Sequence, residues 1–221
     1  TEEEERDRAL SHLSDTIALE GPGSIAAVIL ETVVGTNGIL VPPDGYLAGV
    51  RQLCDEHGIV MICDEVMAGF GRCGEWFAVD RWDVVPDLIC FAKGVNSGYV
   101  PLGGVIIRPE IAATFGPRPY PGGLTYSGHP LACAAAVASI RVFEEEGVLE
   151  HARRLETDVL GPGLAKLAAA HPSVGEVRGS GLFWAVELVR NRETREPLVP
   201  FNASGAANAP MAAFAAAAKA G

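Results

Sequence analysis

The sequence predicts an α/β protein built on a mainly parallel sheet flanked by helices. Three observations carry this. Short apolar runs recur with nothing charged inside them, as strands buried in a parallel sheet require. Segments with apolar residues at helical spacing alternate with those runs, which is the pattern of βα units. Polar residues able to do chemistry fall where the runs end, and ligands of such sheets sit beyond the carboxyl ends of the strands.

The elements follow in order. Leu10, Leu13 and Ile17 predict a helix over 5–20, ended by Gly21-Pro22-Gly23. Ile25 to Leu30 reads as a first strand buried on both faces. Pro42-Pro43-Asp44 opens the next helix, with Asp44 as its cap. Tyr46, Leu47, Val50, Leu53, Cys54 and His57 share one face of it, and Gly58 stops it. Ile59 to Cys63 is a second strand, Leu88 to Ala92 a third, and Gly103 to Ile107 a fourth at an edge. Pro130 to Phe143 is a long alanine-rich helix with proline in its first turn. Residues 148–170 are helical, kinked or split at Gly161-Pro162-Gly163. Val174 to Val189 is a strand pair around Gly179-Ser180-Gly181, and Pro210 to Ala220 is a helix that stops at Gly221. Composition shifts after Gly147, so a boundary is placed near residue 145, dividing 1–145 from 146–221.

Composition bounds the function. The net charge is −11 and no Lys/Arg cluster occurs, which argues against nucleic acid as a partner and reads as a solvated surface. No stretch approaches the roughly 18 uncharged apolar residues of a membrane span. The chain opens on Thr1 and four glutamates rather than on a basic-then-apolar leader. The cysteines Cys54, Cys63, Cys73, Cys90 and Cys133 are odd in number and never form CxxC, so a reducing cytoplasm is expected, with Cys63 and Cys90 as small core residues.

Four constellations could carry chemistry. Val60-Met61-Ile62-Cys63-Asp64-Glu65 could be a magnesium-holding strand of a nucleotide hydrolase, but the GxxxxGK[ST] loop that reading needs is missing. Gly69-Phe70-Gly71-Arg72-Cys73-Gly74 matches GxGxxG, yet it neither follows the strand directly nor opens a helix, and it reads as a tight turn. Cys54, His57, Cys63, Asp64 and Cys73 are near one another in sequence, but their spacing fits no structural zinc site. The fourth uses two strand ends together. Lys93 ends one buried strand and Asp64 another, and pyridoxal phosphate needs such a pair: an amine for its aldehyde and a carboxylate for its pyridinium nitrogen. Gly94, Ser97 and Gly98 would let backbone approach such a ligand closely.

The segments Ile62-Cys63-Asp64-Glu65-Val66-Met67-Ala68-Gly69-Phe70-Gly71-Arg72 and Pro86-Asp87-Leu88-Ile89-Cys90-Phe91-Ala92-Lys93-Gly94 together resemble the signature of class III aminotransferases. The resemblance continues through Leu30-Glu31-Thr32-Val33-Val34-Gly35, Gly98-Tyr99-Val100-Pro101-Leu102-Gly103-Gly104 and Thr125-Tyr126-Ser127-Gly128-His129-Pro130, and covers nearly the whole chain. It implies the fold-type I transferase fold, with pyridoxal 5'-phosphate as cofactor and a homodimer sharing its sites. It implies Lys93 as Schiff-base lysine and proton shuttle, Asp64 as the pyridinium partner, and Val66 as an apolar residue packed on the ring. Thr125 would bind the phosphate of the neighbouring subunit's cofactor. Glu31 would be the acid near the substrate that in some members pairs with a mobile arginine. On this resemblance, 1–145 is the second half of the large cofactor-binding domain and 146–221 an incomplete small domain.

The wording around Gly122 to Pro130 is closest to the group acting between ω-amino acids and pyruvate, including taurine–pyruvate enzymes. The implied reaction moves an amino group from an amine or ω-amino acid to a keto acid. A 4-aminobutyrate or ornithine-type aminotransferase, an aminomutase of the same fold, and a non-catalytic binding protein stay open as alternatives. The family's upstream phosphate loop, its ring-stacking aromatic and its C-terminal carboxylate-binding arginine have no counterpart here, so residues 1–221 alone are expected to be inactive.

Overall fold

The computed structural model describes residues 1–220; the expected helix stop at Gly221 lies outside the described residues. Helix α1 (Glu2–Glu20) starts earlier than predicted because Thr1 caps it. The Thr1 hydroxyl accepts from the Glu4 amide at 3.2 Å, and the Glu4 carboxylate accepts from the Thr1 amino group at 2.6 Å.

Strands β1 (Ala27–Glu31), β2 (Val60–Asp64), β3 (Leu88–Phe91) and β4 (Gly104–Ile107) form one sheet in that spatial order. The first three are parallel, and β4 closes the edge antiparallel to β3. Residues alternate between the two faces of each strand. Val28, Leu30, Met61, Cys63 and Ile89 point to the face covered by α1 and α2 (Tyr46–His57), where they meet Ile17, Leu47, Val50 and Cys54. The alternate positions point the other way, and Ile29 is 64% exposed there. The first strand is therefore not buried on both faces as predicted, because no described residue packs over Ile29. Cys90 is likewise only partly buried.

Asp44 is not the cap of α2. A turn closed by the Tyr46 amide on the Pro43 carbonyl, at 3.1 Å, puts left-handed Gly45 at that position, without a side-chain cap. His57 lies in the last turn of α2 and faces solvent instead of joining the apolar stripe.

The amino ends of the strands converge on Asp87, just before β3. Its carboxylate accepts from the Met61 amide at 2.7 Å, from Arg51 of α2 at 2.7 Å and from Arg108, after β4, at 2.9 Å. Burial pushes the Asp87 carboxyl up, but the Met61 amide and the two guanidinium groups outweigh it and hold the carboxyl below its ordinary range.

After the short α3 (Pro109–Ala113) and a long loop come α4 (Pro130–Glu145) and α5 (Val148–Leu155). A π-turn (Glu156–Leu160) then leads into α6 (Gly161–Ala170). The predicted break is thus a widened turn just ahead of Gly161. Pro162 has no N–H to give, and its ring crowds the carbonyl four residues back, so that turn opens. Strands β5 (Val174–Ser180) and β6 (Phe183–Asn191) make the predicted antiparallel pair, and β7 (Glu196–Pro197) adds a short third strand. Helix α7 (Ala209–Ala220) follows, with Phe214 49% exposed.

This second sheet and α5 dock on the loops at the carboxyl end of the first sheet. The Leu182 amide donates to the Arg72 carbonyl at 2.8 Å, and Arg178 Nε donates to the Gly38 carbonyl at 2.7 Å. From α5, Arg153 Nε donates to the Gly74 carbonyl at 2.9 Å, while Glu156 of the π-turn pairs with Arg81 at 3.1 Å.

Asp87→Asn should destabilise the fold by about 2 kcal/mol, since it removes charge-assisted bonds to two arginines. A carboxyl whose folded-state pKa is depressed stabilises above its unfolded value, near 4, and loses that contribution as the pH falls through the folded value. Denaturant melts at pH 7 and pH 3 should show the Asn variant losing less between the two than the native protein; equal losses would show that Asp87 is not the acid-sensitive clamp.

Candidate active site

Glu31, Asp64 and Cys90 stand opposite one another across the three parallel strands, at or near their carboxyl ends. The pleat sends Asp64 to the face that α1 and α2 do not cover, on the side of Ile62, and Glu31 to the side of Ile29. Asp64 Oδ1 accepts from the Val66 amide at 2.9 Å, a local turn that orients the carboxyl. Its second oxygen has no hydrogen-bond partner among the described residues and is available to a ligand. Val66, two residues on from Asp64, is half-buried.

Glu31 folds back on its own loop. Its Oε2 accepts from the Gly35 amide at 2.8 Å. The Met67 thioether packs close over the same glycine, where a Cβ at residue 35 would stand 2.4 Å from Sδ, so a side chain there would have to displace Met67.

Lys93 does not end a strand, as the sequence suggested. Strand β3 stops at Phe91, and Lys93 opens a single 3₁₀ turn over 93–96. The residue is exposed, and among the described residues its amine has no hydrogen-bond or ion-pair partner. Its φ of 44° lies in the left-handed region, which costs a side-chain-bearing residue free energy and concentrates at functional sites. The turn is braced from below. A Cβ on Gly94 would lie 2.8 Å from Phe70 Cβ, so the expected close approach at Gly94 serves this packing rather than a ligand. Phe70 in turn packs on Phe77 and Phe91, with ring centroids 5.4 and 5.7 Å away. Helix α4 packs against the same turn. A cavity of about 320 Å³ lies beside it, lined by Met67, Phe70, Arg72, Lys93, Phe143 and Phe183 among others.

Thr125 is not brought to these residues by any described hydrogen bond. It lies in the exposed loop that enters α4.

The rival readings meet physical objections. The amides of Gly69, Phe70, Gly71 and Gly74 already donate to the carbonyls of Glu65, Trp76, Glu75 and Gly71, so the glycine-rich turn has none of these to offer a phosphate. Burial raises the Cys63 thiol to about 11 and the Cys73 thiol to about 12, which keeps both protonated, and His57 faces solvent. Among the described residues no three His, Cys, Asp or Glu side chains are grouped as metal ligands would be.

One group escaped the sequence reading. Glu65 is 0% exposed. Its Oε1 accepts from the Thr32 hydroxyl at 2.6 Å and from the Val79 amide at 2.9 Å, and its Oε2 accepts from the Ala78 amide at 2.9 Å. Burial pushes the Glu65 carboxyl above its ordinary value, and these three donors oppose that. The signal was there: the alternation that buries Met61 and Cys63 carries Glu65 inward and leaves Asp64 outward.

A sheet of three parallel strands closed by an antiparallel edge, with Asp64 at the carboxyl end of β2 and Lys93 in the turn just after β3, defines a class of fold, and solved structures share that fold. Taurine:2-oxoglutarate aminotransferase from Bifidobacterium kashiwanohense, described in complex with PLP and glutamate, superimposes with a TM-score of 0.90 at 46% identity over 95% of this chain and 47% of that one. An (S)-enantioselective ω-transaminase from Thermomicrobium roseum gives 0.85 at 43% identity, covering 91% of this chain and 45% of its own. The fold is that of the fold-type I PLP-dependent transferases. The family profile "Aminotransferase class-III" matches residues 1–219, and the chain belongs to that family. A putrescine–pyruvate aminotransferase of Pseudomonas aeruginosa is 42% identical over 85% of this chain and 41% of its own length. A taurine–pyruvate aminotransferase of Bilophila wadsworthia is 38% identical over 84% and 42%. The chain thus spans less than half the length of the relatives it matches.

The left-handed Lys93 backbone makes a prediction independent of any cofactor. Lys93→Gly should be more stable than Lys93→Ala by about 1 kcal/mol, because glycine adopts that φ without the Cβ penalty. Equal denaturation midpoints would show that the turn carries no strain there.

Proposed function

We propose that the whole protein moves an amino group from an amine or ω-amino acid to a keto acid such as pyruvate, with pyridoxal 5'-phosphate as cofactor. The observation that carries this is an ion-pair-free Lys93 amine in the turn just after β3 and an outward Asp64 carboxylate with one oxygen unengaged at the end of the neighbouring β2. The donor set fits the cofactor. Bound there, pyridoxal phosphate would supply an aldehyde for covalent capture of an amino group and a ring that accepts electrons.

The chain's own residues divide the remaining work. Asp64 would hold its negative charge toward the ring nitrogen and keep that nitrogen protonated. Val66, two residues further along the chain, would give the ring an apolar contact. The Lys93 amine would hold the cofactor's aldehyde and, when free, would serve as the base that takes the proton from the donor's amine-bearing carbon. Glu31, level with Asp64 across the strand pair, is our candidate for reading the substrate. The ω-amino acid assignment is supported by the putrescine–pyruvate and taurine–pyruvate relatives. Gamma-aminobutyrate transaminases of tomato at 36% identity support 4-aminobutyrate-type chemistry as a second reading.

Borohydride reduction of the cofactor-loaded enzyme followed by peptide mapping should label Lys93; a label on Lys166 or Lys219 would sink the assignment. In the same preparation Asp64→Asn should retain cofactor while turnover falls by about 100-fold or more, as expected when a catalytic charge is deleted. Unchanged kcat would remove Asp64 from the mechanism.

We further propose a homodimer in which Thr125 donates to the phosphate of the partner's cofactor, supported by its exposure in the loop leading to α4. Mixing Lys93→Ala with Thr125→Ala enzyme tests this. If the contact crosses the interface, one site of the mixed dimer carries both lesions and the other none, so activity should partly return. Confirmed mixed dimers without recovery would place the contact within one subunit.

A further inference from the structure

We infer that Glu65 is a positioning residue, which sets the height and rotation of Asp64 and Glu31 at the carboxyl edge of the sheet. The inference rests on the proposed function above, because it assigns Asp64 to the cofactor. Glu65 lies between Asp64 and Val66, and the pleat points it away from both, into the protein. There it is the buried carboxylate on which separate pieces of the site converge. Thr32, which directly follows Glu31, donates its hydroxyl at 2.6 Å and so joins the ends of β1 and β2. The Ala78 and Val79 amides donate at 2.9 Å from the 3₁₀ turn over 78–82, in the segment that returns the chain to β3.

The Glu65 backbone completes the set. Its amide donates to the Cys90 carbonyl of β3 at 2.9 Å, and its carbonyl accepts from the Gly69 amide at 3.0 Å. One residue therefore touches the ends of all three parallel strands that carry Glu31, Asp64 and, three residues past Cys90, Lys93.

Stability alone does not demand a carboxylate here. Its neighbours include the apolar cluster of Val33, Ala68, Cys73 and Ala78, and burying a charge costs solvation. Directional bonds do what an apolar side chain cannot. They fix the rotation of the strand end about its own axis, and through the pleat they fix where the Asp64 carboxyl points. The partners named are a hydroxyl and two amides, so Glu65 is oriented by dipoles rather than by a counter-ion, which suits a group whose task is aim.

The test uses the cofactor-loaded enzyme and reads cofactor binding, not turnover. Glu65→Gln keeps the shape but replaces one acceptor oxygen by a donor, leaving at least one of the amides or the hydroxyl facing an N–H. It should raise the Kd for pyridoxal phosphate about tenfold and shift the absorbance maximum and circular dichroism of the bound cofactor. Thr32→Val should act in the same direction more weakly, and it decides the matter if the Gln variant does not fold. In an Asp64→Asn background, Glu65→Gln should change Kd less than twofold, since the group it aims has lost its charge. Leu47→Ala, a core variant that takes part in none of these bonds, serves as the destabilised control.

The positioning role is overturned by a folded Glu65→Gln, or a Thr32→Val standing in for it, with native Kd and spectra. Equal losses in both Asp64 backgrounds, or a Leu47→Ala control that loses as much, overturn it as well. If native enzyme fails to label at Lys93 on reduction, the proposed function itself falls; labelling together with indifference to Glu65 overturns the positioning role alone.

Discussion

Three parallel strands must be held level with no hairpin between them. An antiparallel pair is registered by its own turn, whereas parallel neighbours meet through long crossovers that leave the register to other contacts. Everything at the candidate site depends on this, because Glu31, Asp64 and Lys93 come from separate strands and share a place only if their strand ends coincide. Two carboxylates act at the two ends. Asp87 gathers an amide and two guanidinium groups at the amino end, near solvent. Glu65 gathers a hydroxyl and two amides at the carboxyl end, out of contact with water. The first is an ion-pair clamp that tolerates some play; the second is dry and directional, and it lies next to the residues that would meet a ligand.

Backbone strain concentrates at the same edge. Phe70, Lys93 and Ser97 all have φ between 44° and 55°. Phe70 is packed by its aromatic partners, and the Lys93–Asn96 turn by Phe70 and α4. The loops that present the lysine are therefore ordered by packing, and the lysine side chain is left free of competing bonds.

What could be read from the sequence was what local pattern encodes. Uncharged runs gave the strands, helical spacing gave the helices, and the strand ends gave Asp64 and the neighbourhood of Lys93. What escaped depends on residues far apart in the chain. Glu65 finds its partners 13, 14 and 33 positions away, and no local rule brings Thr32 to it. Ile29 reads as buried by composition, but which face of a sheet is covered depends on where the helices pack. Asp44 is a good cap by residue type, yet the turn at Pro43 hands the position to Gly45. The turn that holds Lys93 is packed by Gly94 against Phe70, more than twenty positions back in the chain, and no local pattern announces that contact.

The π-turn at Glu156–Leu160 has a bearing on how this chain can change over evolutionary time. Such a turn is an α-helix carrying one residue more than its ladder needs. Removing that residue would rotate everything beyond it by about 100°, with a 1.5 Å shift along the axis. The two sides of the turn answer to different neighbours: α5 and Glu156 are moored to Gly74 and Arg81, and α6 packs on β5. The surplus residue works as a phase adjuster, letting each half keep its own angular setting. Lineages that gain or lose a single residue elsewhere in this helix should suffer for it, while this one turn can absorb the length change.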